Sequence, residues 1–261
     1  MDKITEQKLA RSLTTENIDL IPFLPYLLQD LWELGTPAKD IIHLINKHVT
    51  NPAQLKILDL ACGKGAVGIS LAKEFGCQVK MIDIAPEFVN FAYQKAQDLG
   101  VDNLCTFQIE DIQKSVISEC DWDCVMLPAI GNVLGNVQET MIKLSSTIRK
   151  AGYIIIEDSY IPDNKKANIL CDYDYPSYDE WMQAFDITNL EVVEEMNESL
   201  ADIISTNDFC NLHIAKRAQE LAVKYPEKTN LFLEYVKSQL NESHDIENTV
   251  QSPVWLLQKI S

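Results

Sequence analysis

Lys56-Ile-Leu-Asp-Leu-Ala-Cys-Gly-Lys-Gly65 is an apolar run with an acid near its end, followed by two glycines one residue apart. The pattern reads as a strand that feeds a tight loop and then a helix. Glycines at such a turn let the backbone N–H groups approach a ligand closely. Asp59, four residues before Gly63, adds a carboxylate at the same place.

Alternation continues outward from this stretch. Ile57–Leu60, Val79–Ile82, Leu104–Ile109, Trp122–Leu127 and Tyr153–Glu157 read as strands. Helices over Ala66–Phe75, Pro86–Leu99 and Gln138–Lys150 separate several of them, and crossover helices demand a parallel sheet. Leu190–Glu195 and Val254–Ile260 supply two more strands. The expected fold is therefore α/β, a doubly wound and mostly parallel seven-stranded sheet with helical additions. Ahead of it, a helix is expected over about 26–33 and another after Thr36, with Thr36 as N-cap and Pro37 at the first helical position. Residues 208–242 read as two helices broken at Tyr225-Pro226. The expected organisation is an N-terminal helical cap (1–50), an α/β core (51–200), a helical insertion or lid (201–250) and a final core strand (251–261). The 201–250 helices read equally as a pair that only packs on the sheet.

Ligands of such sheets bind beyond the carboxyl ends of the strands. Gly63-Lys64-Gly65-Ala66-Val67-Gly68 also fits a dinucleotide fingerprint. A pyrophosphate on that loop would be opposed by Asp59, whereas a ligand with an ammonium and a sulfonium would be favoured by it. Asp83, 18 residues beyond Gly65, ends the second strand and can accept hydrogen bonds from ribose hydroxyls. Asp111 follows the third strand and can accept from an adenine amino group, with Ile84 and Ile112 placed to sandwich the ring. Each of these residues also has a plain structural use: Asp59 as acceptor for loop amides, Asp83 and Asp111 as caps, the isoleucines as core.

Ile57–Gly65, Asp83, Glu110-Asp111-Ile112, Leu127-Pro128 and Lys150–Glu157 together resemble the core motifs of the class I S-adenosylmethionine-dependent methyltransferases, the small-molecule type in particular. The resemblance implies a Rossmann-like methyltransferase fold, S-adenosyl-L-methionine as cofactor and methyl transfer by in-line displacement. It places the methionine part on Asp59, Ala61, Gly63 and Gly65, the ribose on Asp83, and the adenine beside Ile84, Asp111 and Ile112, with Pro128 after strand four. Ala61 stands where many members carry a first glycine.

The acceptor is expected near the ends of strands four and five. Glu157 and Asp158 can attract an amine or take its proton, and Tyr160 can orient an oxygen or offer a ring face to a cation. His213 is a candidate base in the later helices. Tyr26, Trp32 and Asn132 are further candidates for lining, and core or surface roles compete for all of these residues.

A net charge of −17 argues against nucleic acid and anionic membranes as partners and permits a small neutral or cationic acceptor. Seven cysteines, an odd and irregularly spaced set without a CxxC pair, suggest buried thiols in a reducing compartment and no metal site. No charged, apolar leader opens the sequence, so a cytoplasmic protein is expected. A non-catalytic S-adenosylmethionine-binding or protein-interaction module is the alternative function, and a nicotinamide-dependent oxidoreductase the next.

Overall fold

A computed structural model describes residues 3–162, 169–171 and 173–260. Seven strands form one sheet: β1 (Lys56–Leu60), β2 (Gln78–Asp83), β3 (Cys105–Ile109), β4 (Trp122–Pro128), β5 (Ile148–Glu157), β6 (Leu190–Met196) and β7 (Val254–Lys259), in the order β3-β2-β1-β4-β5-β7-β6. The first five are mutually parallel, and β7 runs antiparallel to both β5 and β6. The expected doubly wound, mostly parallel sheet is therefore the fold. Its central strands are covered on both faces, so they read as unbroken apolar runs: Ile154, Ile155 and Ile156 are all buried.

The chain divides into two compact units. One comprises 32–158, 179–196 and 253–261 and holds the sheet. Its helices are α3 (Ala38–His48), α4 (Ala66–Phe75), α5 (Pro86–Asp98), α6 (Ile112–Ser118), α7 (Val137–Thr147) and most of α8 (Tyr178–Ile187). Ile41, Leu44 and Ile45 recur at helical spacing on α3 and are buried in the same cluster as Ile57 and Met126 of the sheet. On α8, Trp181 and Phe185 pack with Trp255 of β7, ring centroids 5.2–5.8 Å apart. Strand β5 starts earlier than the sequence suggests. Its pairing with β4 shifts between Ile148 and Tyr153, and Ala151 takes a φ of +59° there. Gly152 fits beneath the carbonyls of Trp122 and Asp123, where an added Cβ would lie 3.1–3.2 Å from each.

The second unit comprises 1–31, 159–178 and 197–252. It holds α1 (Lys3–Ser12), a 3-10 turn over Ile18–Phe23, α2 (Leu24–Leu27), α9 (Leu200–Lys224) and α10 (Thr229–Asn248). The expected 26–33 helix does not form. Pro22 and Pro25 favour a 3-10 turn and a single α turn that ends at Leu27. Tyr26 is 40% exposed. The break at Tyr225-Pro226 is where sequence places it, but both flanking helices run further outward than 208–242.

Two acids, one buried and one half-buried, pin this second unit. Asp245 on α10 is fully buried and accepts from the amides of Leu170 (2.9 Å) and Cys171 (2.8 Å). Thr14 Oγ1 donates to Glu242 at 2.7 Å, and burial raises the Glu242 pKa. Asp245→Ala would strand two amides and is expected to cost about 2–4 kcal/mol of stability. Urea unfolding followed by circular dichroism checks this, and a loss below about 1 kcal/mol would count against the pinning role.

No helix among the described residues is long and apolar enough to cross a membrane.

Candidate functional site

Parallel strands put all their carboxyl ends on one edge of the sheet. There Asp59 lies opposite Met81 on one side and Met126 on the other, Asp83 opposite Ile109, and Pro128 opposite Glu157. Asp59, Asp83, Asp111, Pro128 and Glu157 therefore mark the ends of five adjacent strands, as the spacing of the sequence predicts.

The loop after β1 alternates left-handed residues: Ala61 (φ +56°), Gly63 (+53°) and Gly65 (+73°). A side chain at Gly65 would meet Ala92 Cβ at 2.8 Å, so only glycine lets the loop pack this close to α5. Ala61 takes the same conformation, and two backbone bonds anchor the residues after it. Cys62 N donates to Ile82 O (3.0 Å) and Gly65 N to Cys62 O (2.8 Å). Burial, then the charges of Asp59 and Asp83, hold the Cys62 thiol well above its usual pKa and disfavour its thiolate. The Lys64 side chain is buried with its ammonium 4.9 Å over the Phe91 ring.

Asp83 fastens the loop. One of its oxygens accepts from Gly63 N and the other from Ala85 N, each at 2.8 Å. Both bonds satisfy amides at the strand-to-helix turns, and each carboxylate oxygen keeps a second lone pair. Asp111 is the N-cap of α6 and accepts from Gln113 N at 2.9 Å. Ile112 begins α6 and is 5% exposed, whereas Ile84 is partly exposed. Helix α6 had no signal in the sequence reading. It is short, and Asp111, for which a cap competes with an adenine contact in the sequence, is its cap.

Asp59 is 1% exposed, and neither carboxylate oxygen has a hydrogen-bond partner. Burial raises its pKa to about 7. The Gly68 amide pulls it down without reaching hydrogen-bond geometry, and the Asp83 charge pushes it up. A buried acceptor without a donor, on the strand that feeds a loop of left-handed residues, fits a ligand that brings a cation or a donor. It does not fit a phosphate. The acids at the strand ends match an ammonium, a sulfonium and ribose hydroxyls, so S-adenosylmethionine suits this donor set.

Past β4, Ala129 (φ +52°) donates its amide to Glu157 O at 3.0 Å, and Asn132 lies in a 3-10 turn over Gly131–Leu134. Glu157 and Asp158 are partly exposed residues of the sheet unit. Tyr160 and His213 belong to the helical unit. Tyr160 is 8% exposed, its backbone bridges Gln251, and its hydroxyl donates to the Gln251 side chain. His213 Nδ1 lies 3.4 Å from Asp30 Oδ2. Arg217 holds Asp30 through two bonds of 2.6 and 2.7 Å and, with His213, keeps its pKa near 2. Tyr26 closes this cluster by donating to Glu220 at 2.7 Å.

Sequence reasoning marks Trp32 as a lining candidate and gives Leu34 and Gly35 no role at the site. Trp32 Nε1 donates to Lys64 O at 3.2 Å, Leu34 touches Gly63, and Gly35 touches Ala129. Thr36 does not cap α3. The helix starts one residue later, with Pro37 as N-cap, and Glu33 Oε1 accepts from Ala38 N at 2.9 Å. No spacing in Trp32–Gly35 ties the run to the glycine loop.

The family model described as a methyltransferase domain matches residues 52–189. A ubiquinone biosynthesis O-methyltransferase of Rickettsia felis is 31% identical over 131 residues, 50% of this chain and 51% of that protein. A sterol 4-C-methyltransferase of Caenorhabditis elegans is 22% identical over 141 residues, 51% of this chain and 42% of that protein. The matched stretch thus spans about half the length of these curated relatives. Among solved structures, an S-adenosylmethionine-dependent methyltransferase from Thiobacillus denitrificans, in complex with S-adenosylhomocysteine, shares the fold at a TM-score of 0.73. It has 16% identity, covering 90% of this chain and 97% of that one. The [4+2]-cyclase SpnF also shares the fold, at a TM-score of 0.66 and 10% identity, covering 85% and 80%.

Proposed function

The chain belongs to the methyltransferase-domain family, and we propose that it transfers the methyl group of S-adenosylmethionine to a small-molecule acceptor. The observation that carries this reading is the unpartnered, buried Asp59 on the strand ahead of the glycine loop, with Asp83 and Asp111 at the next two strand ends. When bound, the cofactor supplies an activated methyl group on a good leaving group. The protein's task is then to bind, align and exclude water.

In this reading the loop backbone at Ala61, Gly63 and Gly65, with Asp59, holds the methionine part. The free lone pairs of Asp83 receive the ribose hydroxyls. Asp111 keeps an oxygen beyond its capping bond for the adenine amino group, between Ile84 and Ile112. Pro128 bounds the site after β4. Glu157 and Asp158 favour an acceptor that is cationic or loses a proton on methylation. The −17 charge supports a neutral or cationic small molecule over nucleic acid or an anionic membrane. Seven cysteines that form no disulfide, most of them buried or half-buried, support residence in the reducing cytoplasm.

The test is calorimetric titration with S-adenosylmethionine, S-adenosylhomocysteine and NADH, followed by a screen of amines, phenols and acids for release of S-adenosylhomocysteine. The first two ligands are expected to bind and NADH is not. Binding of NADH alone would overturn the reading. SpnF, a cyclase by its description, shares the fold, so tight cofactor binding without turnover on any acceptor would favour a non-methylating role.

A further inference from the structure

We propose that α9 carries the contact face for a second copy of this chain, an antiparallel helix pair centred on Leu212 and closed by Asp208 of one copy against Lys216 of the other. The helix lies outside the 52–189 family match, so the face belongs to this chain's own helical addition.

A helix packed on one side needs one apolar stripe, and α9 has two. Ile214, Ala218 and Leu221 recur at helical spacing and are buried. Phe209, Leu212 and Val223 fall outside that stripe. At about 100° per residue, Leu212 and Ile214 are about 200° apart around the axis and point to opposite sides. Leu212 is 68% exposed, Val223 83% and Phe209 53%, although the Phe209 ring rests 4.4 Å from that of His213. Asp208 and Lys216, one turn to either side of Leu212, are exposed on the same row.

The outward row is complementary to itself when reversed. An isologous contact uses one patch on both partners, so a two-fold axis at Leu212 sets residues equally far from it opposite one another. Leu212 then meets Leu212, Asp208 meets Lys216, Ser205 meets Gln219, and Ala201 meets Val223. The centre is apolar, opposite charges flank it, polar residues face each other beyond, and a small side chain meets a larger one at each end. Phe209 faces Ala215, whose short side chain leaves room for a ring. Asp208 and Lys216 are about 12 Å apart along one helix, so they cannot pair with each other within a copy. The second copy brings each within reach of its opposite. Charge also fixes the register: an axis one turn away would set Lys216 against Lys216 or Asp208 against Asp208. A second copy meets all these conditions at once. The contact is a single helix pair of about 37 Å, which suits a reversible dimer.

Sedimentation equilibrium of the full chain, over an about 100-fold range of concentration, tests this. Wild type is expected to pass from monomer to dimer with one dissociation constant. Asp208→Lys and Lys216→Asp each turn two symmetry-related attractions into repulsions and should weaken the dimer about 10-fold. The variant carrying both changes regains opposite charges and should return to within about threefold of wild type. Leu212→Glu should stay monomeric throughout. All three side chains are exposed, so every variant should keep the wild-type circular dichroism spectrum and melting point when dilute. A wild-type monomer at every concentration would overturn the contact and leave the stripe to another occupant. A dimer that both single charge variants leave unchanged would place the interface elsewhere, and a double variant no stronger than the single ones would overturn the Leu212 register.

Discussion

Asp59→Asn is expected to weaken S-adenosylhomocysteine about 10- to 100-fold, and to raise the melting point of the ligand-free protein at pH 8. Both effects come from one buried charge. The carboxylate has no hydrogen-bond partner, and burial lifts its pKa from 3.8 to about 7. The folded protein therefore keeps a proton that the unfolded chain releases. Stability from this group is complete below about pH 4, falls as pH rises to about 7, and stays low above that. The span corresponds to about 4 kcal/mol at most. Asparagine removes the charge and should flatten that part of the stability profile. A bound ammonium restores the reason for the charge, so ligand binding near pH 7 should release a proton. Titration in two buffers of different ionisation enthalpy reads this directly. A binding enthalpy that does not depend on the buffer would disprove the linkage, and unchanged affinity of Asp59→Asn would remove Asp59 from the site.

Asp83→Ala should damage stability and binding together. Its carboxylate accepts from Gly63 N and Ala85 N, so alanine leaves two turn amides without acceptors at a nearly dry position. Burial raises the pKa of Asp83, and relief of that cost offsets part of the loss. The net expectation is about 2–3 kcal/mol, or a melting point lower by about 5–12 °C. Gly63 then loses its tether, the left-handed loop relaxes, and S-adenosylhomocysteine binding should fall at least 100-fold. Asp83→Asn retains one acceptor oxygen and should fall between. If Asp83→Ala melts like wild type, the loop has another fastening.

The two substitutions separate a strain from a support. Asp59 costs the empty protein stability and is expected to return it on binding. Asp83 stabilises the loop whether or not a ligand is present. Sequence alone placed both acids at strand ends and could not tell these roles apart, because the difference lies in which amides reach them.

The sheet was legible because it is written in short-range patterns. Apolar runs of strand length, helices between them and glycines at the turns leave one economical topology, and right-handed crossovers put the acids on one edge. Strand ends moved by a few residues where tertiary pairing decided them. Ile148–Lys150 joined β5 through an irregular pairing instead of ending α7. The N-terminal region departs from its apolar pattern through local backbone limits. Pro22 and Pro25 left a 3-10 turn and one α turn where an apolar count suggested two turns of helix.

What the sequence determined by itself was the parallel sheet, the glycine loop and the acids at three successive strand ends, since each follows from spacing along the chain. What only the tertiary structure decided was the partner of each side chain. It put Asp59 without a donor, spent Asp83 on Gly63 and Ala85, turned Asp111 into a cap, freed Thr36 by giving its task to Glu33, and carried Trp32 onto Lys64. The Trp32–Lys64 and Asp83–Gly63 bonds join residues far apart in the chain, and the local ones depend on which competing donor or acceptor is nearer. Hydrogen-bond partnership is settled by tenths of an ångström in the packed state, a distance that no periodicity records.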